Sequence, residues 1–104
     1  MSAYKNSSVY NNNTYTLAKV GLWRRYKPQY QLDARFADGE MVKLVFLLPK
    51  GSKVHAERMW VEIIAMNSQG VFSGRLDNDP LYVKGLRCND IVHFRRHHIY
   101  DKEV

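Results

Sequence analysis

The sequence contains a single cysteine, Cys88, among its 104 residues. An intrachain disulfide is therefore impossible, and a zinc site of the paired-cysteine kind is excluded as well. The N-terminus lacks a basic head followed by an apolar run, so we expect no signal peptide. The longest apolar-rich run, residues 44–48, is too short to cross a bilayer. These features predict a cytoplasmic protein with no membrane partner.

Acidic residues are also scarce, because ten Asp and Glu stand against sixteen Lys and Arg, a net charge of +6. This bias favours an acidic partner, such as nucleic acid, an acidic protein face or a phosphorylated ligand. The alternative is that the charge only keeps the protein in solution. The chain has no phosphate loop, serine elbow or dinucleotide fingerprint. We therefore expect neither an enzyme nor a cofactor.

Aromatic residues are plentiful, with seven Tyr, four Phe and two Trp. Aromatic and β-branched side chains suit a half-buried pleated surface, so this composition favours strands. The length allows one domain and not two. Residues 1–15 are polar and rich in Asn and Ser, which predicts a flexible arm. Residues 16–104 then form a single β-rich domain.

Alternating apolar residues and turn signals divide this domain into elements. Leu17, Val20 and Trp23 recur at three-residue steps, which predicts a short helix over 16–26 with a basic face, ended before Pro28; a strand is the alternative. Asp38 and Gly39 give a hairpin turn signal. Period-two patterns bounded by turns predict strands at 29–37, 41–48, 54–66, 71–76 and 91–99.

The predicted fold is mainly β within the α+β class. Strands joined by tight turns pair in antiparallel fashion. An antiparallel sheet of this size must cover one face or curl on itself. We therefore expect a small curved antiparallel sheet, or a partly open barrel, of about five strands with one short N-terminal helix. Residues 41–48 are apolar on both faces and belong near the sheet centre.

A candidate partner-binding surface lies on the predicted strand 54–66. Alternation places Arg58, Trp60 and Glu62 on one face of it. A Trp flanked by charge can serve as a recognition platform. The alternative is that Trp60 belongs to the core or covers the sheet. We add Arg95 and Arg96, from the basic run near the end of the chain, to this surface.

A second candidate is a phosphate-binding surface. Alternation along the predicted last strand sends Arg95 and His97 to one face and Arg96 and His98 to the other. The alternative is a solvated edge strand that charge protects against aggregation. The residues of this candidate are Lys19, Arg24, Arg25, Lys27, Arg95, Arg96 and His98.

The sequence gives only weak evidence for a metal site or for a catalytic nucleophile. His55 and Glu57 lie two apart and would share a strand face, where His93 or His97 could add a third ligand; the alternative is a polar pair. The turn at 77–79 lacks the glycine and distal glutamate of a calcium loop. Cys88 and the His five residues later match no activation geometry. We therefore expect no metal and no catalytic residue.

Several motifs in fixed order resemble a bacterial family, the YegJ-like domain of unknown function (domain of unknown function 2314). The specific parts are Glu-Arg-Met-Trp-Val at 57–61 and Leu-Asp-Asn-Asp-Pro at 76–80. Asn89 stands where the family usually has Gly, and Asn tolerates the same left-handed backbone. The matching segments are 36–39, 55–62, 74–80, 90–94 and 99–101.

The resemblance implies no established activity. Members occur as short stand-alone proteins and, in some cases, beside toxin or repeat modules, which implies by analogy an immunity or inhibitor role. We therefore predict a non-enzymatic module that binds and occludes a protein partner with an acidic face. The alternative is a protein that binds nucleic acid, a nucleotide or another phosphorylated ligand through its basic face.

Overall fold

The computed structural model describes residues 15–104, so residues 1–14 of the predicted arm lie outside the described residues. The described chain forms one antiparallel sheet that curls into a half-barrel. It contains a 3₁₀ turn at Arg96–His98 and no α-helix. The strands are β1 (Thr16–Leu17), β2 (Met41–Leu47), β3 (Ala56–Met66), β4 (Phe72–Leu76), β5 (Ile91–Phe94) and β6 (Ile99–Lys102).

The prediction of a mainly β, curved antiparallel sheet is confirmed. The strand order is β1-β2-β3-β4-β5, and β6 also pairs with β2. β6 pairs with residues 42–44 of β2, and β1 pairs with residues 46–47. The two short strands thus share one edge of β2, and β3 occupies the other. The predicted central place of residues 41–48 is therefore confirmed.

The core lies on the inner, concave face of the half-barrel. On β3, Met59, Val61 and Ile63 alternate inward and are at most 2% exposed. Burying a side chain of this kind contributes roughly 1.5–3 kcal/mol relative to leaving it in water. The fully buried inner residues that join them include Val42, Leu44, Phe46, Leu76, Val92, Phe94 and Ile99.

The predicted helix over 16–26 is wrong, because this segment instead pairs with the sheet. The Ala18 N–H donates to the Val45 carbonyl at 2.9 Å, and the Val20 N–H donates to the His97 carbonyl at 2.6 Å. Both Ala18 and Val20 are buried. A helix would leave these two carbonyls, one on the edge of β2 and one in the 3₁₀ turn, without their donors, and such unmade bonds are costly when buried.

The predicted strand over 29–37 is also wrong, since that segment is irregular. Tyr30 and Phe36 still pack against the core, as alternation suggested. The Arg96 guanidinium donates to the carbonyls of Leu32 at 2.8 Å and Ala34 at 2.7 Å, which fixes the segment from outside the sheet. Gly39 turns the chain with φ of 88°, but no strand precedes it, so the predicted hairpin is not formed.

The predicted strand over 91–99 breaks in two. β5 ends at Phe94, the 3₁₀ turn follows, and β6 begins at Ile99. The alternation that placed Arg95 with His97 and Arg96 with His98 is therefore wrong, because a 3₁₀ turn has three residues per turn. The predicted strands at 54–66 and 71–76 are confirmed as β3 and β4, and Asn89 has the expected left-handed backbone with φ of 80°.

The described residues include no helix that is long and apolar enough to span a membrane.

Candidate binding surface

The N-terminal third of the sequence carries charge of one sign only. Before Asp33 there is no Asp or Glu, whereas Lys and Arg occur repeatedly. The described cations of this stretch are Lys19, Arg24, Arg25 and Lys27. Because β1 and the following loop lie against β2, this unbalanced charge is held on one side of the sheet.

A closed loop at residues 21–26, here called the Trp23 loop, carries a tryptophan that is almost fully exposed next to two of these cations. An isolated bridge between Val20 and Tyr26 closes its base, and the Gly21 N–H donates to the Tyr26 carbonyl at 3.0 Å. Trp23 is 97% exposed and Leu22 is 53% exposed. The helix prediction grouped Trp23 with Leu17 and Val20 on an apolar face, and the structure places it in solvent instead.

A polar cleft, here called the tyrosine cleft, lies beside the Trp23 loop. The Tyr26 and Tyr100 rings meet edge to face with centroids 6.2 Å apart. The Arg58 guanidinium carbon lies 5.8 Å from the Tyr26 centroid and 5.3 Å from the Tyr100 centroid. The cleft has a volume of about 440 Å³, and its lining includes Arg25, Tyr26, Lys27, His55, Arg58 and Tyr100.

The predicted partner-binding residues of β3 do share the outer face. Trp60 is half-buried there, and the Lys43 ammonium lies 4.6 Å from its ring centroid. Glu62 forms an ion pair with Arg75 at 3.3 Å. Arg58 is exposed and stacks on the tyrosines as described. Each of the three residues thus has a partner within the fold, and Arg58 alone reaches the cleft.

The predicted phosphate-binding residues separate into three places. Arg25 and Lys27 line the tyrosine cleft. Desolvation by burial, and then the charges of Lys19, Arg95 and Arg24, lower the pKa of His97, so these three cations act on that imidazole. Arg96 lies elsewhere, with its guanidinium 4.8 Å from the Phe36 centroid and bonded to the carbonyls of the irregular segment.

His98 and Arg95 are tied to each other and to the fold. The Arg95 N–H donates to Nδ1 of His98 at 2.9 Å, and the Arg95 guanidinium donates to the Gln69 carbonyl at 2.8 Å. Desolvation by burial, followed by the nearby charges of His97, Lys19 and Arg95, lowers the pKa of His98 to about 4. His98 is therefore neutral at pH 7 and adds no positive charge to a phosphate site.

The possible metal ligands are not brought together. The Glu57 carboxylate accepts hydrogen bonds from the N–H groups of Leu81 (2.5 Å), Tyr82 (3.0 Å) and Val83 (3.0 Å). His55 lines the tyrosine cleft instead. Within residues 15–104 no three His, Cys, Asp or Glu side chains form a group that could hold a metal. Glu57 instead holds the loop after β4 against β3.

The turn at 77–80 has a structural role at the same strand edge. β3 extends beyond β4, and the Asp77 N–H continues the ladder by donating to the Trp60 carbonyl at 2.9 Å. The Trp60 N–H donates to Oδ1 of Asn78 at 2.5 Å. Together with the Glu57 bonds, these contacts cover the part of the β3 edge that β4 does not reach.

Sequence reasoning did not single out Tyr100, which closes one side of the tyrosine cleft. Residues 99–101 were among the segments that carried the family resemblance, so a signal was present. Its meaning depends on a contact between Tyr26 and Tyr100, which lie far apart in the chain. Periodicity along the sequence cannot reveal such a pair.

Comparison with known proteins places the chain in a family. A family model described as an uncharacterized protein conserved in bacteria (DUF2314) matches residues 11–103. No curated protein matches the chain, and no solved structure matches it either.

Proposed function

We propose a binding function for this chain, which belongs to the DUF2314 family of proteins conserved in bacteria. The chain is a non-enzymatic module that binds a protein with an acidic face, and its most concrete form is an immunity or inhibitor protein that occludes its partner. The single cysteine suits a reducing compartment, which supports action in the cytoplasm. The closer likeness to YegJ-like members stays a prediction from the residues.

The observation that carries this proposal is the exposure of Trp23. A tryptophan that is 97% exposed stabilises nothing in the fold, and Leu22 beside it is also largely in solvent. Interface hot spots are enriched in Trp and Arg, and Arg24 and Arg25 follow directly. The closed base of the Trp23 loop holds the backbone that carries these side chains, which lowers the backbone entropy lost on binding.

The charge around the loop supports an acidic partner. The described residues before Asp33 contain four cations and no acid, so a partner's carboxylates would meet no like charge there. Complementary charge of this kind steers encounter and weakens as salt is added. The candidates on β3 contribute less, because Trp60 and Glu62 already contact Lys43 and Arg75.

In-cell photo-crosslinking tests the proposal. The reactive residue p-benzoylphenylalanine replaces Trp23 in one variant and Met66, a 55% exposed residue at the far end of β3, in the control. We expect an acidic protein to be captured from position 23 and not from position 66. With that protein purified, Trp23→Ala should weaken binding about 30-fold, which corresponds to about 2 kcal/mol.

Equal capture from both positions, or unchanged affinity of the Trp23→Ala variant, would contradict the proposal. Capture of nucleic acid from position 23 would favour the second candidate function. The specific observation that supports this second candidate is the hydrogen bond from the Val20 N–H to the His97 carbonyl, which brings the basic stretch after Lys19 beside the basic turn after Arg95.

A further inference from the structure

We propose that the tyrosine cleft is a binding site for the phosphate group of a small phosphorylated ligand. This inference goes beyond the proposed protein partner and does not depend on it, because Trp23 does not line the cleft. It rests on the positive charge that the cleft gathers, on the absence of acid from its lining, and on the way the fold holds the cations in place.

The charge in the cleft is not neutralised within the described residues. Arg25, Lys27 and Arg58 line it, and none of the three forms an ion pair in that part of the chain. No lining residue is acidic. By contrast, Arg75 and Lys102 are paired with Glu62 and Glu40. Like charges held together without a counter-charge repel one another, and an anion between them removes that repulsion.

The guanidinium groups are also oriented by aromatic rings. Arg58 lies over both Tyr26 and Tyr100, and the Arg25 guanidinium carbon lies 5.8 Å from the Tyr26 centroid. A guanidinium held over an aromatic ring keeps the N–H groups of its own plane available for hydrogen bonds, so less freedom is lost when an anion binds. Arginine's fork of donors matches phosphate oxygens, whereas Lys27 acts as a point charge.

The size and polarity of the cleft indicate the ligand class. Its volume of about 440 Å³ lies within the range of small-molecule sites and exceeds what a lone phosphate needs. His55 and Gln29 add polar groups to the lining. Guanidinium groups already lie over the tyrosine rings, so we expect the cleft to recognise the phosphate of the ligand and not a group stacked on those rings. A ligand the size of a sugar phosphate or a mononucleotide fits this description.

NMR titration of the ¹⁵N-labelled full chain tests the site. The probes are inorganic phosphate, ribose 5-phosphate and AMP in low-salt buffer at pH 7, with adenosine as the control that lacks phosphate. We expect saturable shifts centred on the amides of Arg58 and Tyr100 for at least one phosphate-bearing probe, with Kd below about 1 mM. Adenosine should cause no such shifts, and the tightest probe identifies the size of ligand.

Variants in which a neutral residue replaces a cation test whether the phosphate binds in the cleft. Arg58→Gln should weaken binding about tenfold or more, while Arg75→Gln, which removes an exposed arginine outside the cleft, should change Kd less than about twofold. If Arg58→Gln disturbs the spectrum beyond the cleft, Lys27→Gln serves instead, because its side chain makes no stacking contact among the described residues.

Three results would overturn the inference. The first is the absence of saturation up to about 10 mM of every phosphate-bearing probe. The second is an Arg75→Gln effect as large as that of Arg58→Gln. The third, from a parallel titration with single-stranded RNA, is much tighter binding than that of every small probe, with shifts spread over Lys19 and Arg95, which would indicate a nucleic-acid surface.

Discussion

Replacing Gly74 by alanine should destabilise the sheet through a steric clash at the centre of its concave face. An alanine Cβ at this position would lie 2.3 Å from Cγ1 of Val61, 2.9 Å from Cε1 of Phe94 and 3.1 Å from the Glu62 carbonyl oxygen. Carbon atoms in contact are normally about 3.5–4.0 Å apart, so β4 must shift by about 1 Å or Val61 must move. Gly74 therefore permits the close approach of three neighbouring strands.

The magnitude follows from the cost of overpacking a well-packed core, about 1–3 kcal/mol. For a domain of this size each kcal/mol corresponds to roughly 4–8 °C in Tm. We therefore expect Gly74→Ala to lower Tm by about 5–20 °C. Thermal unfolding followed by far-UV circular dichroism, with urea unfolding for the free energy, measures the loss.

Two further variants separate the clash from other effects of replacing glycine. Gly39 has φ of +88° and no atom within 4 Å of the place that an alanine methyl would take, so Gly39→Ala tests backbone strain alone; we expect a loss of about 1 kcal/mol. Val61→Ala removes the closest clashing atom. The double variant should therefore lose less stability than the sum of the losses measured for Gly74→Ala and Val61→Ala alone. A Gly74→Ala protein that melts within about 2 °C of the wild type would refute this reasoning.

Two further predictions concern the loop after β4 and the histidines. Glu57→Ala should destabilise the protein by about 2 kcal/mol, because three loop N–H groups lose their acceptor, while Glu57→Gln should cost less; urea unfolding that ranks Glu57→Gln as the worse variant would contradict the contact. The folded pKa of His98 is lowered to about 4, so the unfolded chain takes up its proton first and stability should fall as pH drops from about 6.5 towards 4. His98→Asn keeps an acceptor for the Arg95 N–H and should flatten the decrease in Tm between about pH 7 and pH 5. An unchanged slope would show that His93 and His97, whose pKa values burial also lowers, cause the pH dependence of stability.

Local pattern was sufficient to predict the central hairpin of the fold. The Val and Ile content of residues 54–66 and the turns beside them favoured a strand, and in the turn before 71–76 Oδ1 of Asn67 accepts the N–H groups of Gln69 and Val71. Alternation also correctly placed Arg58, Trp60 and Glu62 on one face. In these segments each strand pairs with the next strand in the sequence, so the local pattern is sufficient to predict the pairing.

Distant contacts decided the segments that the sequence mispredicted. Residues 16–20 follow the edge of the sheet because the Val45 and His97 carbonyls accept the N–H groups of Ala18 and Val20, and a three-residue apolar step gives no information about those partners. Residues 29–37 alternate like a strand, yet Arg96 binds their carbonyls from a position over sixty residues away. Tertiary contacts of this kind override local propensity.

The sequence predicted the types of residue in the candidate site but not their arrangement in space. The basic residues near Trp23 were visible in the sequence, but which of them line the cleft depends on how β6 brings Tyr100 beside Tyr26. The solvent exposure of Trp23 likewise depends on the Val20–Tyr26 bridge that turns the loop outward.

The central claim is that Trp23 serves binding and not folding, and a side-by-side measurement of the Trp23→Ala variant tests it most directly. Thermal unfolding and recovery of the acidic partner that the crosslinking experiment identifies are measured on the same preparations. We expect a Tm within about 1–2 °C of the wild type together with loss of the partner. A large fall in Tm, or full recovery of the partner, would contradict it.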